Sequence, residues 1–141
     1  MKLEDQVCSL ELAKKLLTLG VKQNSLFFHT AGGVVSRSEA LPILDSNYSA
    51  FTVAELFELL PWCMPIDFTP CQLMFTGGKP YILEYRPIGS LSKGILHLID
   101  NAHDENPANC AAKMLINLIE NDFISVRAQQ TVAYKHKKQA D

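Results

Sequence analysis

The densest run of groups able to hold a metal or move a proton is His97-Leu98-Ile99-Asp100-Asn101-Ala102-His103-Asp104-Glu105. His97, Asp100 and His103 recur at three-residue steps, so a helix through them would set two imidazoles and a carboxylate on one face, the convergence a metal requires. The spacing matches no established zinc pattern. The simpler reading is a polar loop before Asn106, with Asp104 and Glu105 favouring the positive end of the next helix. His97, Asp100 and His103 are therefore the metal candidates, and the sequence assigns no resident metal, cofactor or catalytic residue.

A thiol enzyme would need a nucleophile beside a base, and Cys63 or Cys71 with His29 or His97 supply the types without a spacing that joins them. No G-x-S-x-G elbow, H-E-x-x-H helix or phosphate loop is present, and Gly32-Gly33 and Gly77-Gly78 lack the following Lys-Ser/Thr and read as turns. A small metal-dependent or thiol enzyme ranks third among the readings. Cys8, Cys63, Cys71 and Cys110 contain no C-x-x-C pair, so they are expected as reduced thiols, with Cys8 and Cys110 serving as small buried apolar groups.

Two further constellations bind rather than react. Trp62, Phe68, Phe75, Tyr81 and Tyr85 are the types of a stacking platform for single-stranded nucleic acid, with Lys79, Arg86 and Lys93 to meet phosphate. Pro61-Trp62-Cys63-Met64-Pro65 instead has the types of a protein interface, since Trp and Met favour such surfaces and flanking prolines limit the ordering entropy. The alternative for Trp62 is a place on the core beneath the preceding helix.

Charge separates these two. The 141 residues carry 13 Lys plus Arg and 15 Asp plus Glu, net −2. Residues 1–126 hold 9 basic and 14 acidic side chains, net −5, and residues 127–141 hold Arg127, Lys135, Lys137 and Lys138 against Asp141, net +3. Nucleic-acid affinity comes largely from cations that release counterions, so the body of the chain disfavours a polyanion and only the tail invites one. The tail, 127–141, is expected to be a partly disordered basic terminus.

The elements that must position these groups follow from local signals. Ser9 caps a helix carrying Leu10, Leu12, Ala13, Leu16, Leu17 and Leu19 and stopping at Gly20. Leu26 to Thr30 and Val34 to Arg37 have the content of strands around Ala31-Gly32-Gly33, and Glu39 to Ala50 has loop chemistry. Thr52 and Glu55 form a capping box for a helix over Val53 to Leu60, ended by Pro61. Prolines at 61, 65, 70, 80 and 87 exclude a long helix from that stretch. Cys71–Thr76 and Lys79–Arg86 read as a hairpin about Gly77-Gly78, with Phe75 facing Pro80, Met74 facing Tyr81 and Leu73 facing Ile82. Gly94 to Ile99 reads as a strand, and Asn106-Pro107 opens the clearest helix, ending near Asn121.

Three stretches, Leu10-Glu11-Leu12-Ala13-Lys14-Lys15-Leu16 through Gly20-Val21-Lys22-Gln23, Tyr48-Ser49-Ala50-Phe51-Thr52-Val53-Ala54-Glu55-Leu56, and Glu105-Asn106-Pro107-Ala108 through Ala112-Lys113-Met114-Leu115-Ile116, resemble short uncharacterised proteins of prophages and other mobile elements in gut bacteria. Pro61 to His103 departs from them. The resemblance implies a mobile-element context and carries no activity, cofactor or site residue.

The expectation is thus a single α+β domain over residues 1–126, a small mostly antiparallel sheet of hairpins covered by about three helices. The longest stretch without a charged residue, Gln23 to Ser36, has 14 residues, too few to span a membrane, and the acidic start lacks a secretory pattern. A cytoplasmic accessory protein is expected, acting by protein association as a homodimer, with Trp62, Met64, Phe75 and Tyr81 as interaction residues. The competing reading is a nucleic-acid-binding regulator that uses the basic tail and the hairpin aromatics; no membrane partner is expected.

Overall fold

Three α-helices among the described residues begin where a side chain can satisfy the first amides. The Ser9 hydroxyl accepts from the Leu12 amide at 3.4 Å to open α1 (Leu10–Thr18). Thr52 and Glu55 complete a reciprocal capping box at the start of α2 (Val53–Leu59), with bonds of 3.3 and 3.1 Å. Asn106 Oδ1 accepts from Ala108 and Asn109 at 2.8 and 3.2 Å ahead of α3 (Pro107–Glu120), whose proline has no amide to leave unpaired. Gly20, just past α1, sits at φ +91, a turn that an L side chain resists.

The computed structural model describes residues 2–37, 47–88 and 100–126. Between the helices lie β1 (Phe27–Thr30), β2 (Gly33–Ser36), β3 (Tyr48–Ser49), β4 (Cys63–Ile66), β5 (Thr69–Thr76), β6 (Tyr81–Pro87) and β7 (Ala102–Asp104). All pairings among the described residues are antiparallel. The fold is α+β, and the strands divide into two sheets, β2-β1-β3 and β4-β5-β6-β7, where the sequence suggested one. The division follows from β3. Tyr48 and Ser49, expected in a loop, pair with His29 and Phe28 of β1 and complete the first sheet before α2 intervenes.

The β1–β2 hairpin forms as its glycines imply, with Thr30 opposite Gly33 across a two-residue turn. The β5–β6 hairpin does not take the expected register. Thr76 pairs with Ile82, Phe75 with Leu83, Met74 with Glu84 and Leu73 with Tyr85. Lys79 and Pro80 belong to the turn rather than the strand, because proline has no amide for the ladder, so the turn lengthens and the partners shift by three positions. The stretch expected as a strand over Gly94 to Ile99, the tail 127–141 and residues 39–46 of the expected loop lie outside the described residues.

α3 is the central element. Ala108, Cys110, Ala111, Ala112, Met114, Leu115, Ile116 and Leu118 are all buried on it, and together with Leu16 of α1, Leu56 of α2 and Leu83 of β6 they form one continuous core. Fully burying a side chain of this size contributes roughly 1.5–3 kcal/mol. The N-terminal segment is tied to the start of α3: Asn109 Oδ1 accepts from the Ser9 amide at 2.7 Å, and Asn106 Nδ2 donates to the Val7 carbonyl at 3.1 Å. Among the described residues no helix is long and apolar enough to cross a membrane.

Candidate functional site

The aromatic residues of the second sheet are sorted by strand alternation. In β5, Cys71 and Leu73 are buried on the helix-facing side, and Phe75, two positions further, continues that side past the end of the core. In β6, Leu83 and Tyr85 are buried and Tyr81 precedes them on the same side. Helix α2 ends at Leu59, and the chain then runs extended through Pro61 and Trp62 into β4, with the Trp62 carbonyl accepting from the Leu73 amide at 2.8 Å. Trp62 therefore lies on the helix-facing side of the sheet margin, in line with Met64 and Ile66.

Phe57 of α2 joins these residues into one row. Its ring centroid is 6.1 Å from Trp62 and 5.4 Å from Phe75, meeting Phe75 edge-on at 76°. Phe75 stacks on Tyr81 at 5.6 Å with the planes 3° apart. Such pairs contribute about 0.5–1.5 kcal/mol each beyond burial, so the rings hold one another in place. Trp62 is 64% exposed and Phe75 42% exposed, while Phe57, Tyr81 and Met64 are half-buried. The row is a surface feature, and Trp62 does not sit in the core beneath α2.

Phe57 is absent from the sequence-derived set. Its signal is a second apolar stripe on a seven-residue helix, Val53 and Phe57 beside the buried Leu56. The Trp62 end of the row is held from below: the Tyr85 hydroxyl donates to the Pro61 carbonyl at 2.7 Å, and burial first, then the Cys63 thiol, push its pKa above the usual phenol range.

The stacking platform does not assemble. Tyr85 is buried, and Phe68 lies at the opposite end of β4 from Trp62. Arg86 is paired with Glu84, leaving Lys79 as the exposed cation beside the row, and Lys93 lies outside the described residues.

The metal candidates meet a similar division. Residues 102–104 form a strand, so Asp100 and His103 do not share a helical face, and His97 lies outside the described residues. Asp100 and His103 line a groove of about 340 Å³ with Lys15, Lys113, Asn117 and Glu120. Both of its lysines are paired, Lys15 with Glu120 at 3.0 Å and Lys113 with Asp104 at 2.7 Å. Burial pushes the Asp104 carboxyl up, but hydrogen bonds from Lys113, the Asn106 amide and Asn109 outweigh it and hold the group below the usual range. Asp104 thereby anchors the start of α3, with its Oδ1 2.9 Å from the Asn106 amide. Among the described residues no group of three or more His, Cys, Asp or Glu is placed to hold a metal.

Of the two base candidates paired with Cys63 and Cys71, His97 lies outside the described residues and His29 lies in the other sheet. His29 sits in the first sheet with Nε2 2.7 Å from the Cys8 carbonyl, while Cys63 and Cys71 belong to the second. All four cysteines are free thiols, with Cys8, Cys71 and Cys110 buried. Burial pushes the Cys8 thiol up to about 11 and raises Cys71 and Cys110, away from the thiolate that attack requires.

Compared with known proteins, the chain matches no family model, no curated protein and no solved structure.

Proposed function

We propose that this protein is a non-catalytic association module that docks a protein chain, first of all a second copy of itself, on the row Trp62–Phe57–Phe75–Tyr81. The observation that carries the reading is the exposure of Trp62 and Phe75 within a set of rings held by a helix, two strands and the segment that enters β4. Rigid aromatic side chains lose little entropy on docking, and Trp and Tyr are enriched where binding energy concentrates. Three of the four interaction residues read from the sequence, Trp62, Phe75 and Tyr81, contribute rings to this row, and Met64 lies on the same side, packed against the core. Pro65 supports side-chain docking over strand addition, since it removes a donor from edge strand β4. The reading places the protein in the cytoplasm as an accessory of a mobile element, the context its resemblance implies.

The test is sedimentation velocity of the purified chain over a wide concentration range, beside Trp62→Ala. A reversible dimer is expected, weakened in Trp62→Ala with an unchanged melting temperature. Unfolding of Trp62→Ala would return the residue to a core role.

A further inference from the structure

The turn between β4 and β5 presents a side chain that nothing among the described residues explains. Ile66 pairs with Thr69, so Asp67 and Phe68 alone make the turn, with φ values of 48° and 65°. Both central residues of such a turn need positive φ, and Asn-Gly is its favoured composition. An aromatic residue there is strained, and the strain brings no packing, because Phe68 is 99% exposed. A strained, fully exposed ring on a two-residue tip has the form of an anchor awaiting a pocket.

Charge and position point to the occupant. Asp67, beside the anchor, is exposed and makes no ion pair among the described residues. Lys79, two residues before Tyr81 of the aromatic row, is likewise exposed and makes no ion pair among the described residues. The anchor with its acid and the row with its base lie at opposite ends of edge strand β4, with Trp62 just before the strand and Asp67 just after it. Two copies set side by side with their β4 strands antiparallel would bring each tip to the other's row, and one two-fold axis satisfies both contacts at once.

We infer that the protein self-associates through this exchange, Phe68 of one copy packing on the Trp62–Phe75 end of the row of its partner, with Asp67 against Lys79. The proposal rests on the association reading above and specifies its geometry. From the exposures of Trp62, Phe68 and Phe75, the three rings offer about 450 Å² per copy, or about 900 Å² for the pair. Standard stable interfaces bury about 1,200–2,000 Å², so the dimer is weak and forms with rising concentration.

Sedimentation velocity of the full chain and its variants tests it. Phe68→Gly is expected to raise the dimer dissociation constant about tenfold while raising the melting temperature, because glycine relieves the turn as it removes the anchor. Asp67→Lys and Lys79→Glu should each weaken the dimer and together restore it, a coupling that separate structural damage would not produce. A dimer that ignores Phe68→Gly and both charge reversals but yields to Trp62→Ala overturns the exchange and leaves the association reading standing. A monomer at every concentration overturns the exchange and self-association together.

Discussion

The hydroxyl of Ser25 and the carboxylate of Glu55 meet at 3.2 Å across thirty residues of chain, binding the entry of strand β1 to helix α2. Glu55 Oε1 also accepts from the Thr52 amide at 3.1 Å and the Thr52 hydroxyl at 3.0 Å, and Oε2 accepts from the Leu26 amide at 3.2 Å. A residue that the sequence marks as a local helix cap is thus also the polar joint between the first sheet and the helix that carries Phe57. Replacing Glu55 by Ala leaves the Thr52 and Leu26 amides without this acceptor, and the expected loss is about 2–3 kcal/mol. Glu55→Gln, which keeps one carbonyl acceptor, should lose about half as much; equal melting temperatures for Glu55→Ala and the parent would refute the joint.

Stability should depend on pH through His29. Burial lowers its pKa below the ordinary 6.5, the hydrogen bond to the Cys8 carbonyl opposing the shift only in part. Because Nε2 faces a carbonyl oxygen, that nitrogen carries the proton of the neutral ring. With the folded value depressed, the unfolded chain takes up a proton first as the medium acidifies. The stabilisation is complete above pH 6.5 and is lost as pH falls toward the folded value. His29→Gln should flatten the decline of melting temperature between neutral and mildly acidic pH; an unchanged slope would assign the decline to other groups. Asp104, also depressed, titrates below this window.

Ser49 is a site where removing a polar group should help. Its side chain is fully buried in β3, and its hydroxyl has no hydrogen-bond partner among the described residues. An unsatisfied buried hydroxyl costs about 1–3 kcal/mol in protein interiors, and alanine removes it with little loss of volume. Ser49→Ala is expected to raise stability by about 1 kcal/mol in urea unfolding. A clear loss would mean that the hydroxyl is satisfied in solution by a bound water.

These sites also mark how far the sequence could be read. Ser9, Thr52 with Glu55, and Asn106 with Pro107 announce α1, α2 and α3 because a cap acts within four residues of the chain. The β1–β2 hairpin is legible for the same reason. The pairing of Tyr48 and Ser49 with β1 is not, since its partners lie twenty residues away and two residues carry no periodicity. The β5–β6 register is not legible either, because Gly77-Gly78 suggests a tight turn whereas Pro80 excludes its neighbourhood from the ladder. Of the candidate surface, the residues of Pro61–Pro65 and the hairpin were visible as types. Their union was not, because Phe57 reaches them only once α2 lies over the sheet.

Phe57 is consequently the decisive residue for the row, standing between Trp62 and Phe75 and touching both rings. It is half-buried and packs against the core, so complete truncation would confound loss of support with loss of the row. Phe57→Leu keeps an apolar side chain of nearly the same reach and removes only the ring. The expected cost to stability is about 1 kcal/mol, within the range of volume-conserving replacements. Without the Phe57 ring, Trp62 loses its aromatic neighbour and should become freer, seen as a red shift and greater quenching of the emission of this single tryptophan. Association should weaken by a similar factor to that in Trp62→Ala. If Phe57→Leu changes the emission but leaves association intact, the docking contact is made by Trp62 alone, and the row is scaffolding for one side chain.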